Sequence, residues 1–377
     1  MIKSTPLAAF NGNGDDQRAL VVIFLRGGAD GLTLLPPFED DEYHRARPSL
    51  GISKKIALSL GGNVGLHPQL RELQDIYKDG ALAIVPACGS EDDTRSHFEA
   101  QDLMEHGGLV GGGWLARFLR NREDVHSSAL AAVAISRDLP EVLRGSPSVA
   151  VMQSLDEFSL GKGSEKLASQ LEKLYGAQTD ALGQAGLGTL KELRRIEKLR
   201  ATKYTPEHGA EYPNDYFGRG LTQIARLIKA RVGLQAASLD LHGWDSHFAQ
   251  TTLIEPLMQR LAKGLFGFYR DMGKAMETTT VVVMTEFGRT IRENSAFGTD
   301  HGHGGVMFVV GGGVRGGRVF GEWGALQTNI LEFSSDVPVN ANYRNILAPI
   351  LLKHGADEKK MGDIFPAFDL QPTNIYG

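Results

Sequence analysis

Short runs of consecutive apolar residues alternate along this chain with longer segments whose apolar residues recur every three or four positions. Continuous apolar runs suit strands buried on both faces, whereas the longer spacing is typical of amphipathic helices. The helical spacing covers 67–78, 94–105 and 253–276. This alternation predicts an α/β protein with a mainly parallel central sheet sandwiched by helices. The predicted strands are 19–25, 81–87, 129–135, 236–241, 280–284 and 306–310.

Between 165 and 232 the pattern is helical and contains no strand-like run. We therefore expect a helical insertion at about 160–232, packed on the main sheet. Residues 1–18 are mostly polar and lack the basic start and apolar stretch of a secretory signal. We interpret 1–18 as a flexible N-terminal segment and 19–377 as a single domain.

The composition narrows the classes of protein. With 42% hydrophobic and 23% charged residues, the chain is not a disordered protein. A net charge of −5 gives no reason to expect nucleic acid or an anionic membrane as a partner. No run approaches the roughly 18 apolar residues that a membrane span needs. The single cysteine, Cys88, excludes an internal disulfide framework and a Cys-rich metal site, and its apolar neighbours predict a core position.

Reactive side chains gather where the predicted strands end or begin. Loops at the ends of parallel strands converge on one edge of a sheet, so we expect these side chains to lie close together. Asp30 follows the predicted strand 19–25, and Thr94 and Ser96 follow 81–87. His242, Asp245 and His247 follow 236–241, and Glu286 and Arg289 follow 280–284. His301 and His303 precede 306–310.

Each candidate has a plain structural explanation when it is taken alone. Asp30 suits a turn, Thr94 or Ser96 suits a helix cap, and Glu286 with Arg289 suits an ion pair. Imidazoles and carboxylates together, however, are the ligands that zinc and manganese prefer, and both are costly to bury unpaired.

The full set predicts a divalent metal site that serves phosphoryl or sulfuryl transfer. A hydroxyl at a helix N-terminus would act as the nucleophile, and Arg289 would hold the anion. The hydroxyl is that of Thr94 or Ser96. The predicted metal ligands are Asp30, His242, Asp245, His247, Glu286, His301 and His303.

Five motifs resemble, in order and spacing, the bacterial domain-of-unknown-function family 1501, which is grouped with the alkaline phosphatase–sulfatase superfamily. They are FLRGGADGL, DTRSHFEAQDLMEHG, GWDSH, TEFGRT and DHGHGG, and the resemblance runs from about 20 to 323. It implies an alkaline phosphatase-like fold, with Ser96 where the superfamily nucleophile opens a helix and Thr94 as the second choice. It also implies metal-binding roles for Asp30, Asp245, His247, Glu286 and His303.

Two departures from the superfamily pattern bear on the metal site. The usual D-x-x-x-H spacing is D-x-H here, and Phe287 follows Glu286 where the superfamily has a histidine. These departures favour a single-metal site, or one in which His242 or His301 fills the gap. No C-x-P-x-R run is present, which argues against a formylglycine sulfatase mechanism.

The leading functional hypothesis is a metal-dependent hydrolase of phosphate or sulfate esters that acts on a small anionic substrate. Zinc, manganese and calcium are all candidate metals. The alternative is a non-catalytic binding or scaffold protein that keeps the fold and part of the site. Members of the family often carry a twin-arginine export signal, so the resemblance implies a periplasmic or exported protein. The chain itself shows no such signal, and a cytoplasmic location is the alternative.

Overall fold

The computed structural model of the chain describes residues 18–122, 130–156, 165–178, 180–326 and 336–376. Residues 1–17, nearly all of the segment predicted to be flexible, lie outside the described residues. The strands within the described ranges are β1 (Ala19–Arg26), β2 (Leu58–Ser59), β3 (Gly65–Leu66), β4 (Leu82–Gly89), β5 (Ala132–Ile135), β6 (Ala150–Met152), β7 (Ala236–His242), β8 (Thr279–Thr285), β9 (Gly305–Gly311), β10 (Arg318–Val319) and β11 (Ala341–Asn342).

The helices within the same ranges cover both faces of the sheet. They are α1 (Gly31–Leu34), α2 (Asp41–Ala46), α3 (Arg71–Lys78), α4 (His97–His106), α5 (Trp114–Arg120), α6 (Glu165–Gly176), α7 (Ala181–Ala201), α8 (Tyr216–Lys229), α9 (Gln250–Met272), α10 (Tyr343–Lys353) and α11 (Met361–Ile364). None of these helices has the combined length and apolar character needed to cross a lipid bilayer.

The central sheet is mixed but mainly parallel, which confirms the predicted architecture. Among the described residues it contains nine strands in the order β10-β4-β9-β8-β1-β7-β5-β6, with β11 also paired to β4. The central strand β1 is parallel to both β7 and β8. Strand β9 runs antiparallel to its neighbours β8 and β4. Strands β2 and β3 form a separate antiparallel pair.

Both faces of the sheet are buried, which explains why its strands read as continuous apolar runs. Alternate residues of β1 point to opposite faces, with Val21 and Ile23 in one core and Leu20 and Val22 in the other. Helices α3, α8 and α9 contribute side chains to the first core. Helices α4, α5 and α10 contribute to the second. The buried Cys88 lies in β4 within the second core, as predicted, and burial raises the pKa of its thiol to about 12.

The long helical segment divides into parts with different environments. Helix α8 buries a full apolar face on the sheet and on α9, including Phe217 and Leu221. Helix α6 packs against α7, and none of its described side chains is buried. The described part of 153–235 contains no strand. The boundaries of the helical insertion remain a prediction.

The ends of several strands are aligned at one edge of the sheet. Arg26 at the end of β1 lies opposite His242 at the end of β7, and Leu25 lies opposite Thr285 at the end of β8. At the end of β4, Cys88 lies opposite Gly305, where the antiparallel strand β9 begins. The loops after four strands and the loop before β9 therefore meet at this edge, although they are far apart in the chain.

Candidate metal centre

Three histidine side chains approach the carboxylate of Asp245 at this edge. Nε2 of His247 lies 3.2 Å and Nε2 of His301 lies 3.5 Å from Oδ1 of Asp245. Nε2 of His97 lies 3.5 Å from Oδ2 of the same carboxylate. Of the described residues, His97, Asp245 and His301 form the group of three whose potential ligand atoms all lie within 4.8 Å of one another. These three residues together with His247 are called the histidine–aspartate cluster below.

The outer ring nitrogens of His247 and His301 are each held by an acceptor. Nδ1 of His301 lies 2.7 Å from the carbonyl oxygen of Arg95, and Nδ1 of His247 lies 2.9 Å from Oδ1 of Asp300. A carbonyl or a carboxylate only accepts, so both Nδ1 atoms carry protons. In the neutral rings both Nε2 atoms then carry lone pairs, and they lie 2.9 Å apart. Two facing lone pairs repel each other unless a cation or a proton lies between them.

The third histidine is oriented by Glu286, whose side chain is fully buried. Nδ1 of His97 lies 2.8 Å from Oε1 of Glu286, which also accepts from the backbone N–H of Gly27 and the side-chain amide of Gln101. Burial alone would raise the pKa of Glu286, but the hydrogen bonds from His97 and Gln101 outweigh it and lower that pKa. The same bond raises the pKa of His97. Glu286 is predicted from the sequence as a ligand, but its contacts support a role in orienting His97.

The residues of the cluster fit a divalent transition metal. Nε2 of His97 is buried and has no hydrogen-bond partner among the described residues. Zinc holds nitrogen ligands at about 2.0–2.1 Å, which separates two ligands of a tetrahedral site by about 3.3 Å. The separations from Asp245 to the three Nε2 atoms, 3.2 to 3.5 Å, are close to this value, whereas the Nε2 atoms of His247 and His301 lie closer together, at 2.9 Å. Calcium prefers six to eight oxygen ligands, so the three imidazoles favour zinc or manganese over calcium.

Arg289 fixes Asp245 from inside the protein. Its guanidinium is buried and donates to Oδ1 of Asp245 at 2.7 Å. It also donates to the carbonyl oxygens of Gly27, Gly28 and Thr299. Burial alone would raise the pKa of Asp245, but the hydrogen bond and charge of Arg289 lower it. These contacts support a role for Arg289 in positioning Asp245 rather than in holding a substrate anion, the role predicted from the sequence.

Gly27 allows the end of β1 to approach the backbone of Asp245. Its φ of +121° lies in the region that favours glycine. A Cβ at this position would lie 2.4 Å from the backbone nitrogen of Asp245. Any larger residue would therefore displace the loop that carries Asp245 and His247.

Asp30, a predicted metal ligand, is not a member of the cluster. Its carboxylate is buried and forms an ion pair with Arg47, with an Nη1–Oδ2 distance of 2.5 Å. It also accepts from the hydroxyl of Thr33 and from the amide of Gln250, each at 2.6 Å. Burial alone would raise its pKa, but Arg47 lowers it. The side-chain oxygen of Gln250 accepts from the hydroxyl of Ser246, which lies between Asp245 and His247 in the chain. Gln250 thus connects Asp30 to the loop that carries these two cluster residues.

Two predicted histidines also lie outside the cluster. The side chain of His242 is 67% exposed, and its Nε2 lies 3.9 Å from Oδ2 of Asp240. His303 lines a cleft of about 230 Å³, including the part open to solvent, together with Thr94 and Glu286. Nε2 of His303 is buried and has no hydrogen-bond partner in the described part of the chain.

The two predicted hydroxyl groups differ in their contacts. Ser96 directly precedes α4, but within the described residues its side chain makes no capping hydrogen bond to the helix. The hydroxyl of Thr94 donates to Oε2 of Glu99 at 2.6 Å and accepts from the backbone N–H of Ser96. The hydroxyl of Thr94 is therefore engaged in the loop, whereas Ser96, which is next to His97 in the chain, makes no such capping bond.

His97 is the cluster residue that the sequence interpretation missed. The sequence prediction for this motif rests on the hydroxyl groups of Thr94 and Ser96 and assigns no role to the histidine beside them. The available signal was its position, since it opens the helix that follows β4 at the edge where the other ligands were expected. Phe287 packs against this histidine and against His301, with ring centroids 4.9 Å apart in each case.

Comparison with known proteins identifies the family. The DUF1501 family, described as protein of unknown function, matches residues 89–365, which is most of the chain. The chain belongs to this family. The resemblance predicted from the five motifs is thus confirmed. No curated protein matches the sequence.

Several solved structures are similar to this chain at a low level. Ps i-CgsB in complex with k-i-k-neocarrahexaose is 11% identical, with 96% of this chain and 76% of that chain covered and a TM-score of 0.36. Alkaline phosphatase from the Antarctic bacterium TAB5 is 11% identical, with 79% and 92% covered and a TM-score of 0.34. BT1596, a 2-O GAG sulfatase, is 11% identical, with 81% and 66% covered and a TM-score of 0.27. At these levels the neighbours do not indicate what this chain binds.

Proposed function

We propose that this protein is a metal-dependent hydrolase of small phosphate or sulfate esters, with the histidine–aspartate cluster as its metal site. The observation that carries the proposal is the approach of three Nε2 atoms to one carboxylate, while each Nδ1 atom is held by a separate acceptor. Outer acceptors of this kind fix the orientation of histidines that bind metals. When bound there, zinc or manganese would polarise an ester oxygen and offset its negative charge.

The start of α4 would supply the second part of the site. Its first backbone N–H groups have no partner within the helix, and the helix terminus carries partial positive charge, which favours a phosphate or sulfate group. Ser96 lies at this terminus, directly beside His97. We propose Ser96 as the nucleophile or, failing that, as a hydrogen-bond donor to the anion, with Thr94 in a supporting role.

Arg95 is the better candidate for contact with the substrate anion. Its side chain is 44% exposed and forms an ion pair with Asp336, with an Nη2–Oδ2 distance of 2.5 Å. Its backbone carbonyl holds His301, so the residue lies next to the cluster. Arg289 is enclosed by protein acceptors and would act by positioning Asp245.

The metal content of purified variants tests the proposed ligands. Substitutions His97→Ala and His301→Ala should each reduce bound zinc or manganese, measured by elemental analysis after reconstitution and desalting. His242→Ala is the matched control, because this exposed histidine lies outside the cluster, and it should keep the wild-type content. Wild-type metal content in both cluster variants would refute the assignment.

Turnover of aryl phosphates and aryl sulfates by the metal-loaded protein tests the activity. If Ser96 is the nucleophile, Ser96→Ala should lower kcat by about a hundredfold or more, whereas loss of a single anion contact costs less. Ser53→Ala, at an exposed loop position, is the control and should keep wild-type turnover. Turnover that is equal in the wild type and in Ser96→Ala would exclude the proposed role of Ser96.

A non-catalytic metal-binding protein is the second candidate. Phe287 is buried against His97 and His301, in the place where the superfamily pattern has another imidazole. Phe287 cannot bind a metal, so the cluster lacks the additional histidine ligand of that pattern. Metal binding without turnover of any phosphate or sulfate ester, with either zinc or manganese, would favour this function over the hydrolase.

A further inference from the structure

Exposed phenylalanines occur in the segments that carry the histidines of the histidine–aspartate cluster. Among the described residues, the exposed phenylalanines are Phe98, Phe248 and Phe297, at 85%, 61% and 62%. Phe98 directly follows His97, and Phe248 directly follows His247. Phe297 belongs to the loop that leads to the remaining histidine of the cluster. These three side chains are called the phenylalanine rim.

The backbone at Phe297 is strained. Its φ is +59°, a region that bulky residues rarely adopt and that glycine or asparagine occupies at lower cost. The turn is held by Asn294, whose Oδ1 accepts from the N–H groups of Ala296 and Gly298 at 2.9 and 3.1 Å. Nδ2 of Asn294 donates to the carbonyl oxygen of His247 at 2.9 Å. A large apolar side chain is thus held in solvent, in an unfavourable conformation, on a turn tied to a cluster residue.

The segments that carry Phe248 and Phe297 are bonded to each other. The N–H of Ala249 donates to the carbonyl of Ala296, and the N–H of Gln250 donates to the carbonyl of Phe297, each at 2.9 Å. Ala249 also has a positive φ, of +42°. Two hydrogen bonds therefore hold these two segments together beside His247, and each segment contains a strained position. Strain that is maintained by surrounding contacts in this way is characteristic of functional sites.

We propose that the phenylalanine rim binds a flat aromatic ring of the substrate, which makes aryl phosphates or aryl sulfates the substrate class. The inference rests on the proposed function, because it takes the cluster as the site of the charged ester group. Aryl esters carry a charged group and a flat apolar ring side by side. They would therefore place the ester group at the cluster and the ring on the phenylalanines, whose faces and edges favour contact with other rings.

The surrounding charges argue against a membrane surface as the occupant of the rim. The carboxylates of Asp245 and Asp300, whose side chains are 48% and 60% exposed, lie beside the same histidines. Surfaces that bind anionic membranes combine apolar residues with lysine and arginine. Here Arg95 is a partly exposed cation near the cluster, but it is paired with Asp336. The exposed rings otherwise accompany carboxylates, on a chain with a net charge of −5.

Binding of stable analogues to the zinc- or manganese-loaded protein tests this inference. The probes are phenylphosphonate and methylphosphonate, with benzenesulfonate and methanesulfonate as a second pair, and the Kd of each is measured by calorimetry. The phenyl member of a pair should bind more tightly. Phe98→Ala, Phe248→Ala and Phe297→Gly should each weaken phenyl binding by about two- to tenfold and leave methyl binding unchanged.

A control and a second measurement separate the possible failures. Leu182→Ala removes an exposed apolar side chain of α7 and should change neither Kd. Equal Kd values for the phenyl and methyl probes would overturn the rim inference while leaving the anion site intact. No binding of any of the four probes would overturn the proposed function and the inference with it. Sedimentation with anionic vesicles that depends on the rim, without a preference for phenyl probes, would identify a membrane contact and overturn the aryl assignment.

Discussion

At the scale of single residues, the site separates side chains that can hold a cation from side chains that position them. His97, His247 and His301 direct Nε2 toward Asp245, while Glu286 orients the first of these rings from the interior. The carboxylate oxygens of Glu286 and Asp245 differ in how many hydrogen bonds and how much solvent they contact. Those of Glu286 already accept several hydrogen bonds within the protein, whereas the side chain of Asp245 is 48% exposed.

Replacement of the orienting carboxylate tests this division of roles. Glu286→Gln removes the charge that fixes the protonated Nδ1 of His97, so we expect metal affinity to fall by about 10- to 100-fold. Competition with a metal-binding dye measures the change. Glu141→Gln is the control, because Glu141 forms another Glu–His pair that lies outside the cluster. Oε1 of Glu141 lies 3.0 Å from Nε2 of His106. This substitution should leave the metal affinity unchanged. Equal affinity in Glu286→Gln and the wild type would contradict the positioning role.

The buried ion pair of Asp30 and Arg47 makes a separate prediction about stability. Asp30→Asn leaves the charge of Arg47 buried without its partner, so the free energy of unfolding should fall by about 3 kcal/mol or more. Urea denaturation followed by circular dichroism measures it. Asp75→Asn breaks a solvent-exposed pair with Lys78 and should cost about 1 kcal/mol at most. Similar losses in the two variants would show that the buried pair has no special weight.

At the scale of secondary-structure elements, the site depends on how closely the end of β1 approaches the loop after β7. Gly27 makes this contact, and Arg289, from the loop after β8, donates to its carbonyl oxygen. Three neighbouring strands thus contribute to the position of Asp245. The antiparallel direction of β9 matters as well, because it brings the loop with His301 to the edge where the parallel strands end.

Gly27→Ala tests the close approach. The added methyl group would contact the backbone of Asp245 and would occupy a φ of +121°, so both stability and metal affinity should fall. We expect a loss of about 1–3 kcal/mol in the free energy of unfolding from the backbone conformation alone, with the clash adding to it. Gly61→Ala is the matched control, because its φ is also positive, at +93°, but no atom lies within 4 Å of the added group. A metal affinity reduced equally in both variants would contradict the proposed role of Gly27.

At the scale of the whole molecule, a metal bound across these loops would join segments that lie some 200 residues apart in the chain. A ligand that binds only the folded state stabilises it, by about 2.7 kcal/mol at a concentration one hundred times its Kd. Loading with zinc or manganese should therefore raise the thermal midpoint, and a chelator should reverse the increase. The shift should persist in His242→Ala and disappear in His301→Ala, as differential scanning calorimetry can show. A shift of equal size in both variants would place the metal elsewhere.

Acid stability should depend on Asp271, which joins the segment after α7 to α9. Its buried carboxylate accepts from Tyr204, Tyr212 and Lys229 at 2.7 to 2.8 Å. Burial alone would raise its pKa, but the bonds from Lys229 and the other donors lower it below 3.8. A lowered pKa in the folded state stabilises the protein above the ordinary carboxyl pKa, and the effect is lost as the pH falls through the lowered value.

The pH dependence of a substitution at this residue measures that contribution. Asp271→Asn should be less stable than the wild type at pH 7, and the difference between their thermal midpoints should shrink as the pH falls below about 3.8. Thermal unfolding from pH 7 to pH 3 gives the comparison. A difference that stays constant over this range would show that the ionised form of Asp271 contributes nothing.

The sequence alone determined the strands and the edge at which they end. Continuous apolar runs rich in β-branched residues favour a buried strand over other structures. The six predicted strands agree within a few residues with β1, β4, β5, β7, β8 and β9. Shorter or less regular elements such as β6, α5 and α10 were not predicted. The predicted start of the helix at 94 is three residues too early, since Asp92 and Thr94 form a turn before α4 begins.

Only the tertiary structure decided which polar side chains meet. The sequence marks residues that occur at strand ends, but the contacts made there depend on sheet order, strand direction and local backbone conformation. Asp30 and Glu286 have neighbours that occupy their oxygens, whereas His97 directs an unpartnered nitrogen toward Asp245. These outcomes depend on Arg47, which pairs with Asp30, and on Gln101, which bonds to Glu286. No local sequence pattern indicates either contact. A carboxylate or an imidazole acts as a ligand only where the fold leaves its lone pairs unoccupied and directs them to a common point.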